Sequence, residues 1–280
     1  MSPDLLTERT QARPNPRQEQ AARAKGVSPG RTRSVTVVRG AIGLVALALA
    51  WELLPRLGVV NPYFIPPLHE VLSALRDLAT SGELWRHLRA SIVRSGLGFL
   101  IATAVAIPVG AAIAWYRPVR ELLQPTLELF RNTAALALLP VFTLILGIGE
   151  SSKIAIIGYA CFFPILLSTI AGVATVDQQL LRSARVLGLS PATTFRKVVF
   201  PAAVPTIFTG IRISGAAAIL VLIAAEMVGA KAGLGFLIMY SNMNFLIPQM
   251  YAAILVTSLL GLAVNYSLVW LERRFSRWRG

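Results

Sequence analysis

Residues 204–229 read VPTIFTGIRISGAAAILVLIAAEMVG, and in these twenty-six positions Arg212 and Glu226 are the only ionisable side chains. About 20 apolar residues in a helix are needed to cross a hydrocarbon core of about 30 Å. In lipid the backbone amides have no water to bond, so such a stretch crosses as a helix that satisfies them within itself. Five further apolar segments lie at about 36–55, 90–115, 130–148, 153–175 and 249–271. Pro108, Pro140 and Pro164 interrupt some of them, which spans tolerate when neighbouring helices satisfy the freed carbonyls. The third segment is the weakest, with Arg131 and Asn132 at its start and an apolar stretch, Ala134–Ile148, too short for a full crossing. It is tilted, broken or preceded by an interfacial helix over 117–130. The pattern predicts an all-α membrane protein of about six transmembrane helices.

Composition agrees with that reading. Hydrophobic residues make up 55% of the 280 and charged residues 14%, against roughly 25% charged in an ordinary soluble domain. Mean hydropathy is +0.64, and long apolar runs produce it. The formal net charge of +14 raises the question of nucleic acid. The basic residues sit in tails and connections beside apolar spans, however, and not on one face interleaved with aromatics. No nucleic-acid partner is expected, whereas membrane lipid is. Cys161 is the single cysteine and stands inside an apolar run, so it reads as a small buried hydrophobe. His69 and His87 stand alone, with no cluster at metal-ligand spacing.

Lysine and arginine also orient the chain, since they accumulate on the cytoplasmic side. With the N-terminus inside, the inner segments carry nineteen of them and the outer segments six, while Arg94 and Arg212 fall within spans. Both termini are therefore expected in the cytoplasm of a multi-pass inner-membrane protein. Residues 1–34, rich in Arg, Gln, Pro and Thr, read as a disordered basic cytoplasmic tail. Residues 35–60 carry the first span and 61–280 the remaining transmembrane domain. No small-residue cleavage site precedes Trp51 and Glu52, so a cleaved signal peptide is not expected.

The longest inner connection, 176–203, is patterned as helix. Val176–Val186 carries Leu180, Leu181, Ala184 and Leu187 on one side and Asp177, Arg182 and Arg185 on another. Gly188 follows, and Ser190-Pro191 supplies a cap and first turn. A second short helix, Ala192–Phe200, is expected to end at Pro201. Two short helices about a glycine make a compact element able to act as a lever.

This connection resembles the cytoplasmic loop of permease subunits of bacterial ABC importers, whose pattern is E-A-A-x3-G-x9-I-x-L-P. Here Arg182-Ser183-Ala184 is followed after three residues by Gly188 and after nine more by Val198-Val199-Phe200-Pro201. Three other stretches resemble the sulfonate, taurine and nitrate branch of that family. They are Asn61–Pro67; Leu138–Phe142 with Gly147–Lys153; and Ala225-Glu226-Met227 with Gly233-Leu234-Gly235. The resemblance covers roughly 61–272. Arg182 stands where the family has glutamate, Ser183 where it has the middle alanine and Phe200 where it has leucine, so the loop lacks the family's negative charge.

The resemblance implies the type I ABC importer permease fold with a coupling loop that docks on an ATPase subunit. It implies two ATPase copies, an extracytoplasmic substrate-binding protein, a permease pair that is most simply a homodimer, and a small solute. That solute is an anion such as a sulfonate, taurine or nitrate, or alternatively a thiamine-precursor pyrimidine. ATP and magnesium would be bound by the partner, and the chain itself would hold no cofactor and catalyse nothing. Gly147–Lys153 resembles a phosphate-binding loop only faintly, because Ser152 stands where that loop has glycine.

Ionisable residues within spans are costly and are functional candidates. Arg94 and Glu226 fall at similar depth near the outer ends of their spans and are expected to pair, at a gate or in helix packing. Arg212 lies about 21 Å along the helix from Glu226, and an anion could use Arg212 or Arg94. Gly233-Leu234-Gly235 reads as a tight turn. An autonomous secondary transporter would show inverted repeats and buried relay carboxylates, and the sequence shows no such repeat.

Overall fold

In the computed structural model of the chain, the structure describes residues 29–275, and among these every regular element is a helix. The chain divides at residue 62 into two units. The first holds α1, Pro29–Arg56, which closes with an ion pair between Glu52 and Arg56 one turn apart. The tail expected over 1–34 lies outside the described residues as far as residue 28. Residues 29–34 of it belong to α1.

The second unit begins with α2, Leu68–Thr80, and α3, Glu83–Trp115. The broken pair α4, Arg117–Asn132, and α5, Leu139–Leu146, comes next, with a 3-10 turn, Ala135–Leu138, between them. Then follow α6, Glu150–Ala174; α7, Gln178–Val186; α8, Pro191–Thr194; α9, Phe200–Met227; α10, Leu234–Met243; and α11, Ile247–Phe275. Among the described residues four helices are long and apolar enough to cross a membrane, and five if the bent pair is one span. These are α3, α6, the continuous stretch 191–227 and α11. With the bent pair counted as one span, five of the expected crossings are met among the described residues; that number does not weigh α1, which carries the first expected span.

The break in the third segment has a local cause. Chain direction turns by 85° between α4 and α5, where Thr133 and Ala134 take extended backbone angles. The Asn132 amide and the Thr133 hydroxyl fold back to donate to the carbonyls of Glu128 and Leu129. Side chains thus satisfy the end of α4 in place of the next turn of helix. The third apolar segment is a broken one preceded by its own helix.

Packing is centred on α6, which lies lengthwise against both α3 and α9. Lipid is as apolar as leucine, so burial from water does not hold such helices together; close dispersion contact does. Small residues supply the closeness. A Cβ on Gly210 of α9 would overlap Ser168 of α6, and one on Gly110 of α3 would overlap Thr169. Ile156, Ile157, Ile165 and Leu222 fill the seam between them. Cys161 is buried there and unpaired, as expected of a small hydrophobe, and Ser214 donates to its carbonyl at 2.9 Å.

Candidate functional site

Two constellations stand out: a buried polar cluster where α3, α6 and α9 end together, and the segment 178–201 at the other end of α9.

The cluster is built on one stripe of α3. His87, Ser91 and Arg94 follow one another at three- and four-residue steps and so share a face. Glu226, fully buried near the C-terminus of α9, receives that face. Arg94 Nη1 donates to Glu226 Oε1 at 2.7 Å, the pairing expected from depth along the two spans. The rest of the guanidinium is engaged as well. Nε and Nη2 grip the two oxygens of Glu150, the first residue of α6, at 2.5 and 2.6 Å, and Nη1 also donates to the Ala232 carbonyl. This fork-to-carboxylate geometry is the strong form of such a pair.

The loop 228–233 and the start of α10 close over the cluster. Gly235 N–H donates to Glu226 Oε2 at 3.0 Å, and the Ser91 hydroxyl lies 2.8 and 2.9 Å from the two carboxylate oxygens. Ser91 Oγ accepts the Leu234 amide, and His87 Nδ1 accepts the Gly233 amide at 3.0 Å. The His87 ring stacks on Phe236, and Arg86 Nη2 lies 3.4 Å from its Nε2. Lys153, only 2% exposed, donates to the carbonyls of Gly149 and Gly229. One guanidinium, one ammonium and two carboxylates thus balance in charge, and an isolated buried charge would be far costlier.

Gly233-Leu234-Gly235 is not the expected tight turn but the cap and first two residues of α10, and its glycines have a steric reason. Gly233 sits at φ +130, where a Cβ would fall on the Glu226 carboxyl, and a Cβ on Gly235 would strike the Ile223 carbonyl. Sequence reasoning missed Glu150, Ser91, His87 and Lys153 as members of the cluster. The periodic polar stripe on α3 was the available signal for two of them.

At the other end, α7 opens with the Asp177 carboxylate accepting the Gln179 amide at 2.8 Å. It stops at Gly188, φ +69, in the arrangement that left-handed glycine allows: Leu189 N–H reaches the Ala184 carbonyl and Gly188 N–H that of Arg185. Ala184 is 3% exposed, whereas Arg182 and Ser183 are exposed. Ser190 caps the next turn by accepting the Thr193 amide at 3.3 Å.

Pro201 does not end the second helix, contrary to expectation. Phe195–Val199 form a π-turn in which Phe200 N–H bonds the Phe195 carbonyl, and helix runs on without a break from 191 to 227. The wide turn accommodates a ring that has no N–H and would otherwise press on the carbonyl four residues back. Val199 is buried, Val198 half-buried and Phe200 exposed at 36%. Phe195 meets Trp115 of α3 edge-on at 5.1 Å.

Arg212 joins neither constellation. It is exposed along α9, and its Nε points to Asn265 Oδ1 on α11 at 3.4 Å.

A bundle of apolar helices with a capped helix–turn–helix joined rigidly to one span is the architecture of a membrane permease. Residues 104–277 match the family of binding-protein-dependent transport system inner membrane components, and the chain belongs to that family. It is 36% identical over 254 residues to the taurine transport system permease protein TauC of Escherichia coli, covering 89% of this chain and 92% of that one. To a Bacillus subtilis protein named as an aliphatic sulfonates transport permease, SsuC, it is 33% identical over 258 residues, 92% of this chain and 93% of that one. Among solved structures it is similar to the inward-facing MetNI methionine ABC transporter, with TM-score 0.56 and 20% identity over 70% of this chain and 96% of that one. An amino acid ABC transporter gives TM-score 0.52 at 20% identity, over 71% of this chain and 97% of that one. The chain is thus a multi-pass permease subunit of an ATP-driven importer, and its family works with an ATPase and a substrate-binding protein.

Proposed function

We propose that this permease imports a small organic sulfonate, taurine or a close analogue, as one of two identical subunits around a shared path. The identity to taurine and sulfonate permeases over nearly the whole chain supports that substrate class; nitrate has no comparable support. ATP and magnesium bind the ATPase pair, and this chain holds no cofactor. Both termini face the cytoplasm, as the lysine and arginine distribution favours, and lipid surrounds the outer faces of the spans.

One observation carries the coupling assignment. Val186 and Leu187, at the tip of α7, are 88% and 75% exposed, and Leu180 is exposed beside them. Apolar side chains held outward by a capped, glycine-terminated helix suit insertion into a groove of another subunit. In this reading Arg182, Ser183, Ala184, Gly188, Val198, Phe200 and Pro201 form the segment that ATPase closure pushes. Because helix is continuous from 191 to 227, that push travels along α9 to the Arg94–Glu226 cluster, which braces the outer end of the subunit.

The test is a pull-down of tagged protein from solubilised membranes, with Gly188→Trp alongside wild type. Co-purification of an ATPase with wild type only supports the assignment, and absence of an ATPase from both refutes it. Uptake of labelled taurine by cells carrying the intact importer decides the substrate class.

A further inference from the structure

Of the two arginines in apolar stretches, Arg94 has every nitrogen engaged, by Glu150, Glu226 and Ala232. Arg212 differs. Only Nε is held, by Asn265 Oδ1, and neither terminal nitrogen has a partner among the described residues. The two residues are matched in depth: Arg212 is eight residues from Val204 and Asn265 eight from Arg273, about 12 Å in each helix from the same end of the apolar layer. Around Arg212 the exposed stripe of α9 is Thr209, Ile213, Ala216 and Leu220, which offers no carboxylate. A guanidinium with free donors at that depth is costly unless water, an anion or a partner charge meets it. Its fork of terminal N–H groups matches two oxygens of a sulfonate or phosphate, and the bond from Nε to Asn265 fixes the direction in which the fork points.

We infer that Arg212, oriented by Asn265, is an oxyanion-binding station in the inner half of the membrane. It takes the sulfonate group of the solute leaving toward the cytoplasm or the phosphate of an inner-leaflet lipid. The inference rests on the orientation and anionic cargo proposed above. Arg94 cannot share the role, because its donors are spent on the brace.

The experiment is arginine-selective modification with phenylglyoxal, followed residue by residue by mass spectrometry on the assembled permease–ATPase complex. In maltoside micelles, which contain no phosphate, millimolar ethanesulfonate is expected to slow modification of Arg212 about fivefold relative to Arg273. Potassium chloride at equal ionic strength is expected to have no such effect. Asn265→Ala is expected to lose most of the protection, while Arg94, buried and saturated, stays unmodified and reports that the protein is folded. Protection by phosphatidylglycerol in nanodiscs with no added effect of ethanesulfonate assigns the station to lipid phosphate. Protection by neither, or equally by chloride, overturns the inference. Failure of taurine uptake with protection intact would sink the cargo assignment and leave the station standing.

Discussion

The backbone of Gly233 lies against the carboxyl group of Glu226, so near that a Cβ at position 233 would overlap the carboxylate carbon and both oxygens. The same glycine donates its amide to His87 and holds a φ of +130. Such backbone is essentially reserved for glycine, and other residues there are strained by about 1–3 kcal/mol. Gly233→Ala adds displacement of a buried, charged side chain to that strain. Expected is a loss of about 2–4 kcal/mol, read as a lowered thermal midpoint in detergent. Gly147→Ala is the comparison: its φ of +80 and ψ of 167 carry the same kind of strain, about 1–3 kcal/mol, but a Cβ there meets nothing, so its loss should be the smaller of the two.

The brace predicts a non-additive double mutant. Arg94→Met leaves Glu226 buried without its guanidinium, and Glu226→Met leaves Arg94 with one carboxylate, Glu150, beside the Ala232 carbonyl. Removing one partner of a buried ion pair costs about 3–5 kcal/mol, whereas an apolar replacement of both is often close to neutral. Each single variant should therefore be poorly stable, and Arg94→Met with Glu226→Met should recover at least about 1 kcal/mol of the summed loss. Denaturation of all four proteins in one detergent checks this, and strict additivity would show that the pair is not coupled.

Much of this molecule was legible in the sequence where one element decides alone. The runs that became α3, α6, α9 and α11 exceed the length of a membrane crossing, and Ser190-Pro191 and Gly188 act through chemistry within a turn. Depth along two helices was enough to pair Arg94 with Glu226. What stayed hidden was set by partners distant in the chain. Glu150 is 56 residues from Arg94, and His87 is 146 from Gly233. Pro201 misled because the π-turn that admits it packs Phe195 on Trp115 of another helix, and no local pattern announces that contact.

That π-turn makes its own prediction. Because the wide turn already accommodates Pro201, Pro201→Ala should leave helix content by circular dichroism unchanged. It should also alter the thermal midpoint by less than about 1 kcal/mol equivalent. Deleting Val198 should instead tighten the segment into regular α-helix and rotate everything before it by about 100° relative to α9. Transport should then be lost while the ATPase still co-purifies. Full loss of transport in Pro201→Ala would mean that the ring has a role beyond the turn.

The last prediction separates docking from folding at the tip of α7. Val186 and Leu187 are largely exposed, whereas Ala184 between the same caps is buried. Aspartate at 186 or 187 meets only solvent in the free permease, so the thermal midpoint should move by less than about 0.5 kcal/mol equivalent. In the complex the same charge would enter an apolar groove, where an unpaired carboxylate is strongly disfavoured. Val186→Asp with Leu187→Asp should thus give a stable permease that recovers little ATPase in a pull-down. Ala184→Leu should do the opposite first, overfilling a packed site at a cost of about 1–3 kcal/mol and losing the ATPase only as the element itself loosens. If both substitutions fail by unfolding, the exposed tip is part of the core of the subunit, and the docking surface lies elsewhere on 178–201.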